Sequence, residues 1–171
     1  MIYIDFDDVI LNTTEVMVKK RNNDNNAPLK YFNDSDYIIN LDWANFLQEC
    51  SVLNNSIEII RNMNSKKVAI LTKAYTINNE GLAKIKYIRS KGIKCNIILV
   101  PVDGNKADVV DPVGSILVDD SLHNLDDWHK AGGISIFYDR FHKNADGWGQ
   151  PNTKYDKIDS LDELNKYLEE L

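Results

Sequence analysis

Cysteine is scarce in this 171-residue chain. There are two, Cys50 and Cys95, with neither metal-ligand spacing nor a disulfide framework, so a sulfur-ligated metal or a stapled scaffold is excluded. Long apolar runs are missing too. No stretch approaches the roughly 18 residues that a membrane span needs. The opening segment reads as a strand that already holds Asp5, and a secretory leader is not expected. Reduced cysteines without a leader make the cytoplasm the expected location. A basic stripe is also lacking. Net charge is −6, and Lys19, Lys20 and Arg21 form the one compact basic run, which argues against a dedicated duplex-DNA binder. A small phosphorylated ligand stays open, because a metal and one or two lysines hold a phosphate locally. No internal repeat is present, and the sequence leaves the oligomeric state open.

What is present is ordinary for one globular domain, with 43% hydrophobic and 27% charged residues. Residues 2–6 read as a short buried strand, and one or two helical turns are expected over 14–21. Residues 22–36, NNDNNAPLKYFNDSD, are loop chemistry. Leu41, Ala44, Phe46, Leu47 and Cys50 give one amphipathic helix, and Ile57, Ile60 and Met63 another that Ser56 would cap. From Lys67 the rhythm alternates. KVAILT, CNIILV, SILVDD and ISIFY read as buried strands. A helix over 79–91 would put Leu82, Ile85 and Ile88 inward, with Gly92 past its end. A short helix is expected over 106–110 and another over 124–130. Residues 139–159 read as a long loop, and Ser160 would cap a last helix with Leu161, Leu164 and Leu168 on one face. Five short strands, mostly separated by helices, predict an α/β domain with a parallel sheet covered on both faces.

Three of these strands end in distinctive polar residues. The first leads into Asp5 and Asp7, the second ends in Thr72, and the fourth ends in Asp119 and Asp120. Ligands of open parallel sheets bind at the carboxyl ends of the strands, where strand order reverses. If the first strand is central, these residues share one crevice. Four acids in one crevice call for a counter-charge, and clustered carboxylates suit Mg²⁺, which commonly joins a few protein oxygens to phosphate oxygens.

The ordered set resembles the haloacid dehalogenase superfamily, and within it the phosphatases. DFDDV from Asp5 to Val9 is similar to the family's D-x-D-x-[TV] motif. Thr72 after VAIL is similar to the second motif, Lys106 in DGNKAD to the third, and Asp119-Asp120 after SILV to the fourth. The match covers the first strand and then Lys67 to Tyr138. It implies a three-layer α/β/α Rossmann-like core with a five-stranded parallel sheet, residues 1–13 and 65–171, and a small helical cap over 14–64 that would close on substrate. The interval between the first two strands is too long for one crossover helix, which agrees.

By that resemblance Asp5 is the nucleophile and Asp7 the acid/base residue. Asp5, the Asp7 carbonyl and Asp120 would hold Mg²⁺, with Asp119 beside them. Thr72 would bind the phosphate, and Lys106 would neutralise it, with Lys73 as the rival lysine. The activity implied is a Mg²⁺-dependent phosphomonoesterase working through an aspartyl-phosphate. NLDDWHKAGGISIFY is similar to the 5′(3′)-deoxyribonucleotidase branch, which puts a nucleoside monophosphate first as substrate. Alternatives are a phosphatase of sugar phosphates or nucleic-acid 3′ ends, and a non-catalytic phosphate or metal binder on the same fold. Asp8 reads as a solvated or capping residue, Asp126 and Asp127 as a solvated helix start, and His123, His129 and His142 as surface residues. Trp43, Phe46, Tyr31 and Phe32 read as core in the cap, and residues 146–152, DGWGQPN, as a surface loop.

Overall fold

The computed structural model describes residues 1–25, 34–139 and 154–164. Tyr31, Phe32, His142, Leu168 and the DGWGQPN stretch lie outside them. The described elements are β1 (Ile2–Ile4), α1 (Thr13–Asn23), α2 (Asp34–Ile39), α3 (Trp43–Glu49), α4 (Ser56–Asn62), β2 (Val68–Ala74), α5 (Leu82–Ser90), β3 (Asn96–Pro101), α6 (Lys106–Val109), β4 (Ile116–Asp119), α7 (Leu122–Lys130), β5 (Ile134–Tyr138) and β6 (Asp156–Ile158). A π-helical turn, Ile77–Gly81, leads into α5, and a 3₁₀ turn, Leu161–Leu164, follows β6.

All strands pair in parallel in the order β3-β2-β1-β4-β5-β6. β1 is therefore central, and strand order reverses on either side of it. Side chains alternate between the two faces, as a strand requires. Ile2 and Ile4, Val68 and Ile70, Ile116 and Val118, and Ile136 and Tyr138 join one buried cluster with Trp43, Phe46, Leu47, Ile60 and Ile88. Tyr3, Ala69, Leu71, Leu117 and Phe137 join the other, with Leu125 and Trp128 of α7. The described helices between β1 and β2 thus share one hydrophobic cluster with the sheet. No helix among the described residues is long and apolar enough to cross a membrane.

Several sequence expectations need correction. The sheet has six strands, not five. β6 lies in the stretch read as loop, and its Asp-Lys-Ile has a single buried apolar residue, Ile158, so no alternating pattern announces it. α1 runs three turns rather than one or two. Ser56 does not cap α4; Asn55 takes the N-cap position, and the buried Ser56 hydroxyl donates to the Ile10 carbonyl at 3.0 Å. The buried side of α5 is only partly the one expected, since Ile88 is buried but Leu82 is not. Lys84, Tyr87 and Ile88 are buried together with Glu80 and Gly81 of the preceding turn, while Leu82 is 42% exposed. Ion pairs of Lys84 with Asp7 and Glu80 lie on this inward side, and Gly81 packs closely on β3, where an added Cβ would meet Leu99 Cδ1 at 2.6 Å. Near the C-terminal end, the described residues after Ser160 form a 3₁₀ turn with Leu161 and Leu164 fully buried.

Candidate active site

Chain reversal after β1 gathers the first carboxylates. Asp5 N–H still donates to Val118 of β4 at 2.9 Å, so Asp5 extends the central strand. The backbone then turns. Ile10 N–H donates to Phe6 O at 2.9 Å, and Asp8 N–H to Leu11 O at 2.8 Å. Asp8 sits at φ 56°, a left-handed conformation that Asp tolerates better than most residues. Its carboxylate accepts from the Thr14 amide at 3.2 Å at the start of α1. Asp8 is buried, so it is a capping contact and not a solvated charge.

Lys106 stands at the centre of the next layer. Asn105 caps α6 by accepting from the Ala107 amide at 2.9 Å, and Lys106, one residue on, is buried. Its Nζ lies 2.7 Å from Asp5 Oδ1 and 2.7 Å from Asp119 Oδ2. Asp119 is saturated by further donors: the Ser121 amide reaches Oδ1 at 2.8 Å, and Asn124 Nδ2 reaches Oδ2 at 3.1 Å. Asp120 is half-buried beside it. One carboxylate oxygen each from Asp5, Asp119 and Asp120 lie within 4.8 Å of one another.

Three carboxylates against one ammonium leave the cluster short of positive charge. Burial pushes Asp5 up to about 7; Lys106 opposes this, while Asp119 and Asp7 reinforce it. Burial, then the charge of Asp119, also raises Asp120 well above the ordinary carboxylate range. An all-oxygen donor set with excess negative charge fits a small hard dication such as Mg²⁺. Asp5 and Asp120 have the freer carboxylates for it, since Asp119 is engaged by Lys106, Ser121 and Asn124.

Asp7 faces a second lysine that sequence reasoning missed. Lys84 Nζ is 2.6 Å from Asp7 Oδ2 and 2.6 Å from Glu80 Oε1. It also donates to the Lys73 carbonyl at 2.9 Å. Thr13 Oγ1 donates to Asp7 Oδ1 at 2.8 Å. Thr72, fully buried, places its hydroxyl 3.5 Å from Asp7 Oδ2 and 3.5 Å from Lys84 Nζ. Burial alone would push the Lys84 ammonium down, but the charges of Asp7 and Glu80 hold it above its ordinary value. A signal existed in the sequence: Glu80 and Lys84 are four apart, and Lys84 is in register with Tyr87 and Ile88. Assigning Leu82 to the buried face hid it.

Of the two rival lysines, the structure puts the Lys106 ammonium at Asp5. Lys73 follows Thr72 on β2, so its side chain points to the opposite face, and what it brings to the site is its carbonyl. Asp5, Asp7, Thr72, Lys106, Asp119 and Asp120 do come together at the carboxyl ends of β1, β2 and β4. Farther out, Asp126 is not a solvated helix start. It accepts from Tyr155 at 2.6 Å and Lys154 at 3.1 Å, tying α7 to the segment before β6. His123 and His129 are both exposed, as expected, and His129 packs its ring 5.6 Å from Tyr155.

This sheet order is shared with solved structures of haloacid dehalogenase-superfamily hydrolases. Among solved structures, a HAD-superfamily hydrolase of subfamily IA from Geobacter sulfurreducens matches with a TM-score of 0.61 at 12% identity, covering 97% of each chain. The HAD-hydrolase YfnB from Bacillus subtilis, bound to magnesium, matches with 0.61 at 15%, covering 98% of this chain and 97% of its own. The D,D-heptose 1,7-bisphosphate phosphatase from B. bronchiseptica, complexed with magnesium and phosphate, matches with 0.57 at 17%, covering 99% and 98%. At these identities the shared property is the fold. No protein-family model matches the sequence, and no curated protein matches it.

Proposed function

We propose that this chain is a Mg²⁺-dependent phosphomonoesterase that works through an aspartyl-phosphate on Asp5. The observation that carries the reading is the buried Asp5 carboxylate at the end of the central strand, with the Lys106 ammonium 2.7 Å away and Asp119 and Asp120 beside it. An anion attacking a phosphate monoester is repelled unless charge on both is offset. Bound Mg²⁺, held by Asp5, Asp120 and the Asp7 carbonyl with Asp119 beside them, would supply that offset together with Lys106.

In the first half-reaction an Asp5 oxygen bonds to phosphorus as the ester P–O bond breaks, and Asp7 gives its proton to the departing alcohol oxygen. In the second, water attacks the aspartyl-phosphate, Asp7 takes its proton, and the bond to Asp5 breaks to release phosphate. Thr72 donates to a phosphoryl oxygen. Asp119 keeps Lys106 paired while Asp5 is esterified and carries no charge.

For substrate, the sequence resemblance puts nucleoside monophosphates first. Burial of Trp43 and Phe46, which pack edge-to-face at 5.1 Å, removes both from base stacking and favours sugar phosphates as the second reading. The buried free thiols of Cys50 and Cys95 suit the reducing cytoplasm. A phosphate-release screen with Mg²⁺ over nucleotides, sugar phosphates and 3′-phosphorylated oligonucleotides tests the reading. Release that persists in Asp5→Asn would refute it, and phosphate binding without release on any ester would favour a non-catalytic binder.

A further inference from the structure

Lys84 has two carboxylate partners of different kinds. Glu80 is fixed: it is buried, its Oε2 accepts from the Tyr75 amide at 2.7 Å, and its own N–H donates to Thr76 Oγ1 at 3.2 Å. Asp7 is the open one, with 31% of its side chain exposed against 5% for Glu80. The rings of Phe6 and Trp43 complete the enclosure, 5.4 Å and 5.3 Å from the ammonium. Lys106 repeats the pattern on the other side of the site, between the enclosed Asp119 and the more accessible Asp5.

We propose that Lys84, anchored by Glu80, is a positioning residue that holds the Asp7 carboxyl where it meets the departing oxygen of a phosphate ester. This rests on the phosphatase reading. Asp7 alternates between acid and carboxylate in that reaction. With Asp7 as its one partner, the buried ammonium would lose its counter-charge in every cycle, and an unpaired buried charge is strongly disfavoured. Glu80 stays in place throughout, so the ammonium keeps a partner and Asp7 keeps its location. Lys84 reaches the chemistry through Asp7, because its ammonium is already engaged by Asp7, Glu80 and the Lys73 carbonyl.

The test compares two esters under saturating Mg²⁺. Phenyl phosphate needs a proton on its leaving oxygen, whereas 2,4-dinitrophenyl phosphate departs without one. Because kcat/KM covers all steps through leaving-group departure, it isolates the acid role. Lys84→Met is expected to lower kcat/KM at least about tenfold more for phenyl phosphate than for the dinitrophenyl ester, a fraction of what a general acid contributes. Glu80→Gln is expected to give the same ordering with a smaller gap. Equal losses on both esters in both variants would mean that Lys84 only supports the fold, and the inference would be overturned. If Lys84→Met does not fold by circular dichroism, Glu80→Gln decides on the same criterion. A wild-type protein that releases phosphate from neither ester, nor from the screened substrates, sinks the phosphatase reading and the inference with it. Wild-type activity with equal losses sinks the inference alone.

Discussion

The ammonium of Lys106 lies 2.7 Å from Asp5 and stays buried only because Asp119, at the same distance, shares it. Removing one partner of such an arrangement leaves the others uncompensated, which typically costs about 3–5 kcal/mol. Lys106→Met should therefore lower the melting temperature in EDTA, and added Mg²⁺ should restore part of the loss by supplying the missing charge. A variant as stable as wild type in EDTA would show that the lysine does not hold the cluster.

Asp119 and Asp120 should separate on metal titration. Asp120→Asn should raise the Mg²⁺ concentration for half-maximal activity about tenfold or more while circular dichroism stays native. Asp119→Asn should lower thermal stability more, since it loosens Lys106, Ser121 and Asn124 together. The reverse ordering would exchange their roles.

Metal binding should be linked to protons through Asp5. Its value in the fold is about 7, against 3.8 as the ordinary one. Between these pH values the metal-free fold holds a proton that the unfolded chain does not. This group therefore favours folding at lower pH, and its contribution disappears as pH rises through about 7. A cation requires the carboxylate, so Mg²⁺ affinity should fall below pH 7. Calorimetry at pH 6 in buffers of different ionisation enthalpy should register proton release on binding; buffer-independent heats would contradict the assignment.

Packing at the far end of the sheet offers a test independent of chemistry. A Cβ on Gly133 would fall inside the indole of Trp128, which is fully buried and donates to the Ser115 carbonyl at 3.2 Å. Gly133→Ala should destabilise the protein by about 1–3 kcal/mol in urea unfolding. An unchanged midpoint would place Trp128 elsewhere.

Cys50 should be inert while the protein is folded. Burial, reinforced by Asp7 and Glu49, pushes its thiol up to about 12, so almost no thiolate exists at neutral pH. Iodoacetamide should label it only after denaturation; rapid labelling of native protein would refute the burial.

Much of this site was legible in the chain because strand-ending residues announce themselves. Asp5, Thr72 and Asp119 each follow a short apolar run, and a parallel sheet brings such positions to one edge. β6 was not legible, because a short edge strand with one buried apolar residue has no alternating period. Lys84 was hidden for a related reason. Its helix has apolar residues on more than one side, and no local period says which of them turns inward. Local pattern thus located five of the strands and identified the polar residues that end them. Tertiary packing decided the rotation of α5, the sixth strand, and which lysine meets which carboxylate, because these depend on contacts between residues tens of positions apart that no local period encodes.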